Sequence, residues 1–271
     1  MAPAVALTIA GSDSSGAAGL QADIATFAAL GVHGLCAVTA ITAQNSGGVQ
    51  WVEPVDADLV GAQIDAATAD GVPDAAKTGL LWTAEMVDEV AGRRAIIGES
   101  LVVDPVLVDS NGDRFVEAAV IDAYRRRLFP LATATTPNLA EAAALIETPL
   151  TSIDDVIGEA ARLGALAPVV VVTGGRLGGV AAVDVVIAGG TTTLHERPRI
   201  TTANVRGSGC TFSAALAAHL ALGVAPTDAA KAAGDFAHAA VVAGASWRLG
   251  SGRGPVAHAS DPAVRSSRAP G

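Results

Sequence analysis

The chain has 271 residues, of which 51% are hydrophobic and 16% charged, a balance that suits a globular core and not a disordered tail. Its net charge of −10 argues against nonspecific binding to nucleic acid, so an anionic substrate would be held by backbone dipoles, a few Lys or Arg, or metal ions. No run of about 18 apolar residues lacks a breaker, so no membrane span is expected. Two cysteines in unlike contexts suggest no disulfide framework, and a reducing cytoplasm is the default.

The stretch Val5–Asp13 reads as a strand entering a polar glycine turn, without the basic segment of a signal peptide. A helix is expected over Leu20–Gly31, and a second buried strand in LCAVTAITAQNS, ending at Gln44. Cys36 sits in that apolar run and reads as a buried small hydrophobe. A helix from about Asp56 places Val60, Ile64 and Ala67 on one face. A short strand in DAAKTGLL, a helix in AEMVDEVAGRR and a strongly apolar strand ending at Asp104-Pro105 follow.

Val116, Val120, Tyr124 and Leu128 recur at helical spacing. TATTPNL reads as a short strand and AEAAALIE as a helix. Ser152 can cap one helix running through Leu163. PVVVVTGG is another buried strand, and a hairpin turns at Gly189-Gly190. Helices over Gly209–Leu222 and Pro226–Ala245 close the core. The alternation predicts one α/β domain over residues 1–250, with a mainly parallel sheet between helical layers. Residues 251–271 are expected to be a tail with a disordered end.

In such sheets ligands bind beyond the carboxyl ends of the strands. The residues there include Asp13, Gln44, Lys77, Asp104, Asn138 and Gly174-Gly175. The sharpest stretch is NVRGSGCTF, where Gly207, Ser208 and Gly209 lead into Cys210 at a helix start. Free amides and the helix dipole make such a place an anion cradle, and they are expected to lower the pKa of an adjacent thiol. Cys210 could then act as base or nucleophile, or be a buried residue in a helix-cap loop. GSDSSGAAGLQAD is a second small-residue loop, carrying Asp13 and Asp23. Asn138 and Glu141, three apart, could serve a water-held Mg²⁺ or simply cap a helix.

Other chemistries fit less well. There is no G-x-x-x-x-G-K-[ST], so no P-loop. GSGCTF lacks the third glycine of a dinucleotide fingerprint, and Asp228 follows a helix, not a strand. A thiol acyl-enzyme would need a histidine near Cys210, and the spacing of His33, His195, His219, His238 and His258 places none there.

The ordered set TIAGSDSSGAAGLQAD, TAITAQNS, AAKTGLL, VVDPVLV, TPNLAEAAAL, GSGCTFSAALAAHLA and GRGPVAH covers nearly the whole chain. It resembles the ribokinase-like superfamily, and within it the hydroxymethylpyrimidine/phosphomethylpyrimidine kinases of thiamine biosynthesis. The resemblance implies a three-layer αβα kinase domain that uses ATP and Mg²⁺ on a small pyrimidine, and a homodimer in the cytoplasm. It implies that Gln44 bonds the aminopyrimidine edge with Asp23 and Ala18 nearby, and that Leu80 and Leu107 wall the ring. Cys210 would face the hydroxymethyl group as base, and the Gly207, Ser208 and Gly209 amides would form the anion hole. Asp104, Asn138 and Glu141 would organise Mg²⁺ and the ATP phosphates, with Thr173, Gly175 and Arg176 bordering the nucleotide.

The chain departs from the family where Thr173 and Ser110 replace usual lysines, Leu80 a common Met and Arg206 a common His. Arg176 is the candidate to supply the missing charge. A pyridoxine/pyridoxal kinase of the same fold and a non-catalytic ligand-binding relative are the alternative readings.

Overall fold

The computed structural model describes residues 2–108, 116–175 and 179–259; Ser110 and Arg176 lie outside the described residues. Strand β1 (Val5–Ala10) leads through the first glycine loop into α1 (Gly19–Ala29), and β2 (His33–Val38) follows. β3 (Ala40–Asn45) and β4 (Gly48–Pro54) form a separate antiparallel pair. Next come α2 (Ala57–Thr68), β5 (Ala75–Thr78), α3 (Ala84–Gly92) and β6 (Ser100–Val103). α4 (Ala118–Ala123) runs into a π-helical turn at Tyr124–Leu128 and a 3₁₀ turn at Phe129–Leu131. β7 (Ala134–Thr135), α5 (Leu139–Ile146), α6 (Ile153–Gly158) and α7 (Ala160–Leu163) precede β8 (Val169–Val172). The hairpin β9 (Ala181–Ala188) and β10 (Thr191–Pro198) leads to α8 (Ser208–Ala221) and α9 (Pro226–Gly244).

The large sheet has the order β10-β9-β8-β7-β6-β5-β1-β2. Every neighbouring pair from β2 to β8 is parallel, and β9 and β10 add antiparallel at the far edge. β1 lies between β2 and β5, so the chain steps to opposite sides of it. The carboxyl ends at such a reversal open a crevice between loops.

Two apolar layers hold the sheet, as alternation along the strands requires. Leu7 and Ile9 of β1 pack with Val60 and Ile64 of α2 and Met86 and Val90 of α3. Ala6 faces the opposite way, toward Phe27 of α1 and the alanines of α8 and α9. Each fully buried Leu or Ile contributes roughly 1.5–3 kcal/mol. The α8 face is small: Ala214, Ala215, Ala217 and Ala218 are all fully buried. These short side chains let the helix lie close against its neighbours.

Several expectations change. The second strand is two strands, because the chain turns away from the sheet at Thr39. There the Thr39 amide donates to the Ala10 carbonyl at 3.0 Å and its hydroxyl to the Leu80 carbonyl at 2.5 Å. β3 then pairs with β4, whose apolar residues were not read as a strand. Cys36 is exposed on the edge strand β2, not buried. The helix expected from Ser152 to Leu163 breaks at Glu159, which has φ −98° and ψ 11°. The hairpin turns where predicted, with Gly189 at φ 55° and Gly190 at φ 77°, the two positive values of a primed turn.

The domain also extends past residue 250. The Arg206 amide donates to the Gly254 carbonyl and the Arg206 carbonyl accepts from the Val256 amide, and Gly254, Val256, Ala257 and His258 are buried. The expected disordered end of the tail falls on residues 260–271, outside the described residues.

Candidate active site

The start of α8 is set by Gly207, whose φ is 79°. A Cβ there would lie 1.8 Å from the Ala17 carbonyl oxygen, so only glycine lets this loop close on the first glycine loop. Thr211 completes the turn: its amide and its hydroxyl donate to the Gly207 carbonyl at 2.8 and 2.9 Å. The Thr211 hydroxyl also lies 2.7 Å from His258 Nδ1, which ties the C-terminal segment to the helix start.

No side chain caps α8. The Ser208 amide donates to the Val205 carbonyl at 3.3 Å, so Ser208 drops out of the expected anion hole. The Gly209 and Cys210 amides have no protein acceptor among the described residues. Gly209 is exposed and Cys210 half-buried, so these donors face open space at the positive end of a 14-residue helix.

Beneath this cradle lies a buried charge cluster. Thr8 of β1 and Lys77 of β5 are register partners and face the same layer. Both donate to Asp23 of α1: Thr8 at 2.7 Å, and Lys77 at 2.8 Å to each carboxylate oxygen. Lys77 also sits 3.8 Å from Asp104, which follows β6. Asp104 in turn accepts a 2.7 Å hydrogen bond from Ser213, one turn into α8.

The expectation for Asp23 is corrected here. Its side chain is 0% exposed and its oxygens are engaged by Thr8 and Lys77, so it is the counter-ion of Lys77 and not an open contact for a ring. Lys77 was read only as a strand-end residue. Its full burial inside β5 is the tertiary signal that the sequence hid.

Electrostatics correct a second expectation. Burial raises the Cys210 thiol to about 12. Lys77 and the Gly19 amide pull the other way, but Asp23 and Asp104 add to the rise. Cys210 is therefore a neutral thiol at neutral pH, not the thiolate expected from the helix dipole alone. Asp104 is raised to about 6 by burial, against the lowering effect of Lys77 and Ser213. Burial works to lower Lys77, but the carboxylates, Asp23 above all and then Asp104, oppose it, and Lys77 is raised and keeps its ammonium charged.

The strand ends of β5, β6, β7 and β8 are neighbours. At about 4.8 Å per strand they form a row of roughly 14 Å. Along it stand Lys77, then Asp104, then Asn138, then Thr173. Asn138 and Thr173 form a β-bridge, and the Thr173 amide donates to the Pro137 carbonyl at 3.0 Å. Gly175 is exposed, and its carbonyl accepts from Arg199 at 2.9 Å. Arg199 was missed in the sequence because it lies beyond β10 and reaches back.

Asn138 and Glu141 form a capping box for α5. Asn138 Oδ1 accepts from the Ala140 and Glu141 amides, and Glu141 accepts from the Asn138 amide at 2.8 Å. The helix-capping geometry is thus realised, but Glu141 is 4% exposed and so is not a solvated surface acid. Glu141 is nonetheless near the row: after burial, Asp104 and Glu141 both help raise the Tyr124 hydroxyl. Among the described residues no three His, Cys, Asp or Glu side chains converge on a metal position. The buried, unpartnered Thr136 hydroxyl just past β7 and the Asp104 carboxylate at the end of β6 are oxygen ligands that fit a hydrated Mg²⁺ rather than a closed protein cage.

At the other end, the Ser14 hydroxyl lies 2.9 Å from both the amide and the carbonyl of Gln44, tying β3 to the first glycine loop. Ala18 precedes α1 and is half-buried, and Leu80 is half-buried beside the same loop. Leu107 is 1% exposed in the core, so the expected wall position is closed. Arg206 donates to the Gln44 side-chain oxygen and to the Asn45 carbonyl, a contact between segments far apart in the chain.

Residues 13–257 match the family described as Phosphomethylpyrimidine kinase. The chain belongs to the phosphomethylpyrimidine kinase family. It is 44% identical over 259 residues to the hydroxymethylpyrimidine/phosphomethylpyrimidine kinase of Rhizobium meliloti, covering 94% of this chain and 97% of that protein. Among solved structures it resembles an ADP complex of Bacillus subtilis pyridoxal kinase, with 40% identity and a TM-score of 0.88 over 97% of this chain and 99% of that one. The pyridoxal kinase of Staphylococcus aureus with AMP-PCP and pyridoxal is 34% identical, with a TM-score of 0.86 over 96% and 94%. A phosphomethylpyrimidine kinase family member is a phosphotransferase, and the ribokinase-like αβα architecture is shared with these neighbours. No helix of the described residues is long and apolar enough to cross a membrane.

Proposed function

We propose that this kinase transfers the γ-phosphate of MgATP to the hydroxymethyl group of 4-amino-5-hydroxymethyl-2-methylpyrimidine and then to its monophosphate, giving the diphosphate used in thiamine biosynthesis. The observation that carries this reading is the pair of unpartnered amides, Gly209 and Cys210, at the open positive end of α8. Phosphoryl transfer asks mainly for positioning and for charge stabilisation at the moving oxygens. The cradle supplies fixed donors that need no reorganisation, and Lys77 keeps a positive charge below them.

Gln44, Ala18 and Leu80 would border the pyrimidine at the β1 end of the row, and Thr173 and Gly175 the nucleotide at the β8 end, with Asn138 shaping the loop between. Arg176 remains a candidate for phosphate contact on the resemblance alone. Asp104 and Glu141 would hold Mg²⁺ chiefly through water, and that ion supplies charge neutralisation at the phosphate oxygens when bound. Cys210 lies at the acceptor end as a thiol. With a loose transition state the hydroxymethyl proton leaves late, and no standing thiolate is required.

The exposed face of β3 and β4 carries Ile41 and Trp51, 59% and 67% exposed, which supports a homodimer through this pair of strands. A cytoplasmic location, where ATP is available as phosphoryl donor, belongs to the same proposal. The second reading is a pyridoxal kinase, favoured by the solved neighbours above. Initial rates of ADP release with hydroxymethylpyrimidine and with pyridoxal separate the two: turnover dependent on the pyrimidine supports the first, and preference for pyridoxal replaces it.

A further inference from the structure

We infer that Arg206 is a positioning residue that fixes which end of the Gln44 carboxamide faces the substrate ring, and so selects rings that offer a hydrogen-bond acceptor. The inference rests on the reading that the ring sits at Gln44. Arg206 stands immediately before the cradle, and its backbone is pinned on both sides. Its amide donates to the Gly254 carbonyl at 3.0 Å, and its carbonyl accepts from the Val256 amide at 3.1 Å. The guanidinium therefore projects from a fixed base.

That guanidinium meets three groups. One nitrogen donates to Gln44 Oε1 and another to the Asn45 carbonyl, both on β3. A carboxylate oxygen of Asp13 lies 3.6 Å away. Asp13 is fully buried. Its Oδ1 accepts from the amide and hydroxyl of Ser15 at 2.8 and 2.7 Å, while Oδ2 receives no hydrogen bond among the described residues. Arg206 is the cation beside it, and that pairing keeps the guanidinium, only 17% exposed, in place.

A guanidinium has five donors and no acceptor. The Gln44 oxygen, not its nitrogen, must therefore face Arg206. The amide is locked, and its free end is the NH₂ group, a donor. A ring edge with a bare nitrogen lone pair satisfies it. An edge with C–H in that place leaves a desolvated donor unpaired, and a site built to hydrogen-bond a group discriminates strongly against an analogue that lacks it. A residue able to accept as well as donate at position 206 would leave the amide free to turn.

The test compares wild-type enzyme with Arg206→Met and Arg206→Lys. The substrates are hydroxymethylpyrimidine and the two aminopyridine analogues in which one ring nitrogen is replaced by C–H. Wild type is expected to prefer the pyrimidine by about tenfold or more in kcat/KM over at least one analogue. Arg206→Met should raise KM for the pyrimidine about tenfold, change kcat and the KM for ATP less than threefold, and shrink the preference to within about threefold. Arg206→Lys, still donor-only, should restore most of the preference. Should Arg206→Met fail to fold around the unpaired Asp13, Arg206→Met with Asp13→Asn removes that charge and carries the same comparison.

An unchanged preference in the Met variant, or a loss seen in kcat and the ATP KM alone, overturns the inference. If wild type ignores the pyrimidine and phosphorylates pyridoxal, the proposed substrate fails separately. The same variants are then read with pyridoxal and its analogue lacking the ring nitrogen.

Discussion

Removing the ammonium of Lys77 tests the charge cluster under the cradle. Lys77 and Asp23 are both 0% exposed and touch at 2.8 Å, with Asp104 at 3.8 Å. With an effective dielectric of about 20, the two attractions come to roughly 6 and 4 kcal/mol, set against several kcal/mol of desolvation for each ion. Lys77→Met keeps the volume but leaves two buried carboxylates without their cation, which costs about 3–5 kcal/mol. For a domain of this size that lowers the melting temperature by roughly 6–20 °C.

Lys77→Met combined with Asp23→Asn removes the pair together, and the Thr8 hydroxyl still finds an oxygen acceptor at position 23. The double variant should regain at least half of the loss, a coupling of about 2 kcal/mol or more. Urea unfolding of the four proteins gives the cycle. A Lys77→Met cost below about 1 kcal/mol, or strict additivity, would refute the idea that this ion pair organises the base of the site.

Other consequences follow from the same geometry. In a Cys36→Ser background, which removes the exposed thiol, alkylation of Cys210 by iodoacetamide should show no thiolate step below about pH 10, since its thiol is raised to about 12; a step at pH 7–9 would restore the thiolate base. Asp104, raised to about 6, binds its proton more tightly folded than unfolded. In metal-free protein its contribution to stability is therefore greatest below about pH 4, declines as pH rises toward 6 and is flat above 7. Asp104→Asn should remove that slope, as read from urea midpoints across pH. Gly207→Ala places a Cβ 1.8 Å from the Ala17 carbonyl at φ 79°, and should cost at least about 2 kcal/mol and abolish turnover; calorimetry and ADP release check both. Trp51→Glu should convert a dimer to a monomer by light scattering, whereas an unchanged dimer moves the interface elsewhere.

The alternation of strands and helices carried the architecture, because burial on both faces of a parallel sheet leaves long apolar runs such as VVVV of β8. The glycine loop before α8 was legible because Gly207 serves a local backbone need. What stayed hidden was tertiary. Thr39 diverts the chain through contacts to Ala10 and Leu80, which no local pattern announces. Lys77 looks like an ordinary strand-end lysine until α1 brings Asp23 onto it. The thiol was expected to be acidic from its helix dipole, but burial reverses the sign, with two carboxylates from distant segments adding to the rise against Lys77. Arg206 gains its meaning only when β3 and the segment near Gly254 close around it.

The most direct measurement is a crystal structure with hydroxymethylpyrimidine, MgADP and aluminium fluoride, which mimics the phosphoryl group in flight. The fluorides should accept hydrogen bonds from the Gly209 and Cys210 amides, at about 2.7–3.1 Å, with the hydroxymethyl oxygen in line. A mimic bound away from those two amides, with the helix start left to solvent, would contradict the account.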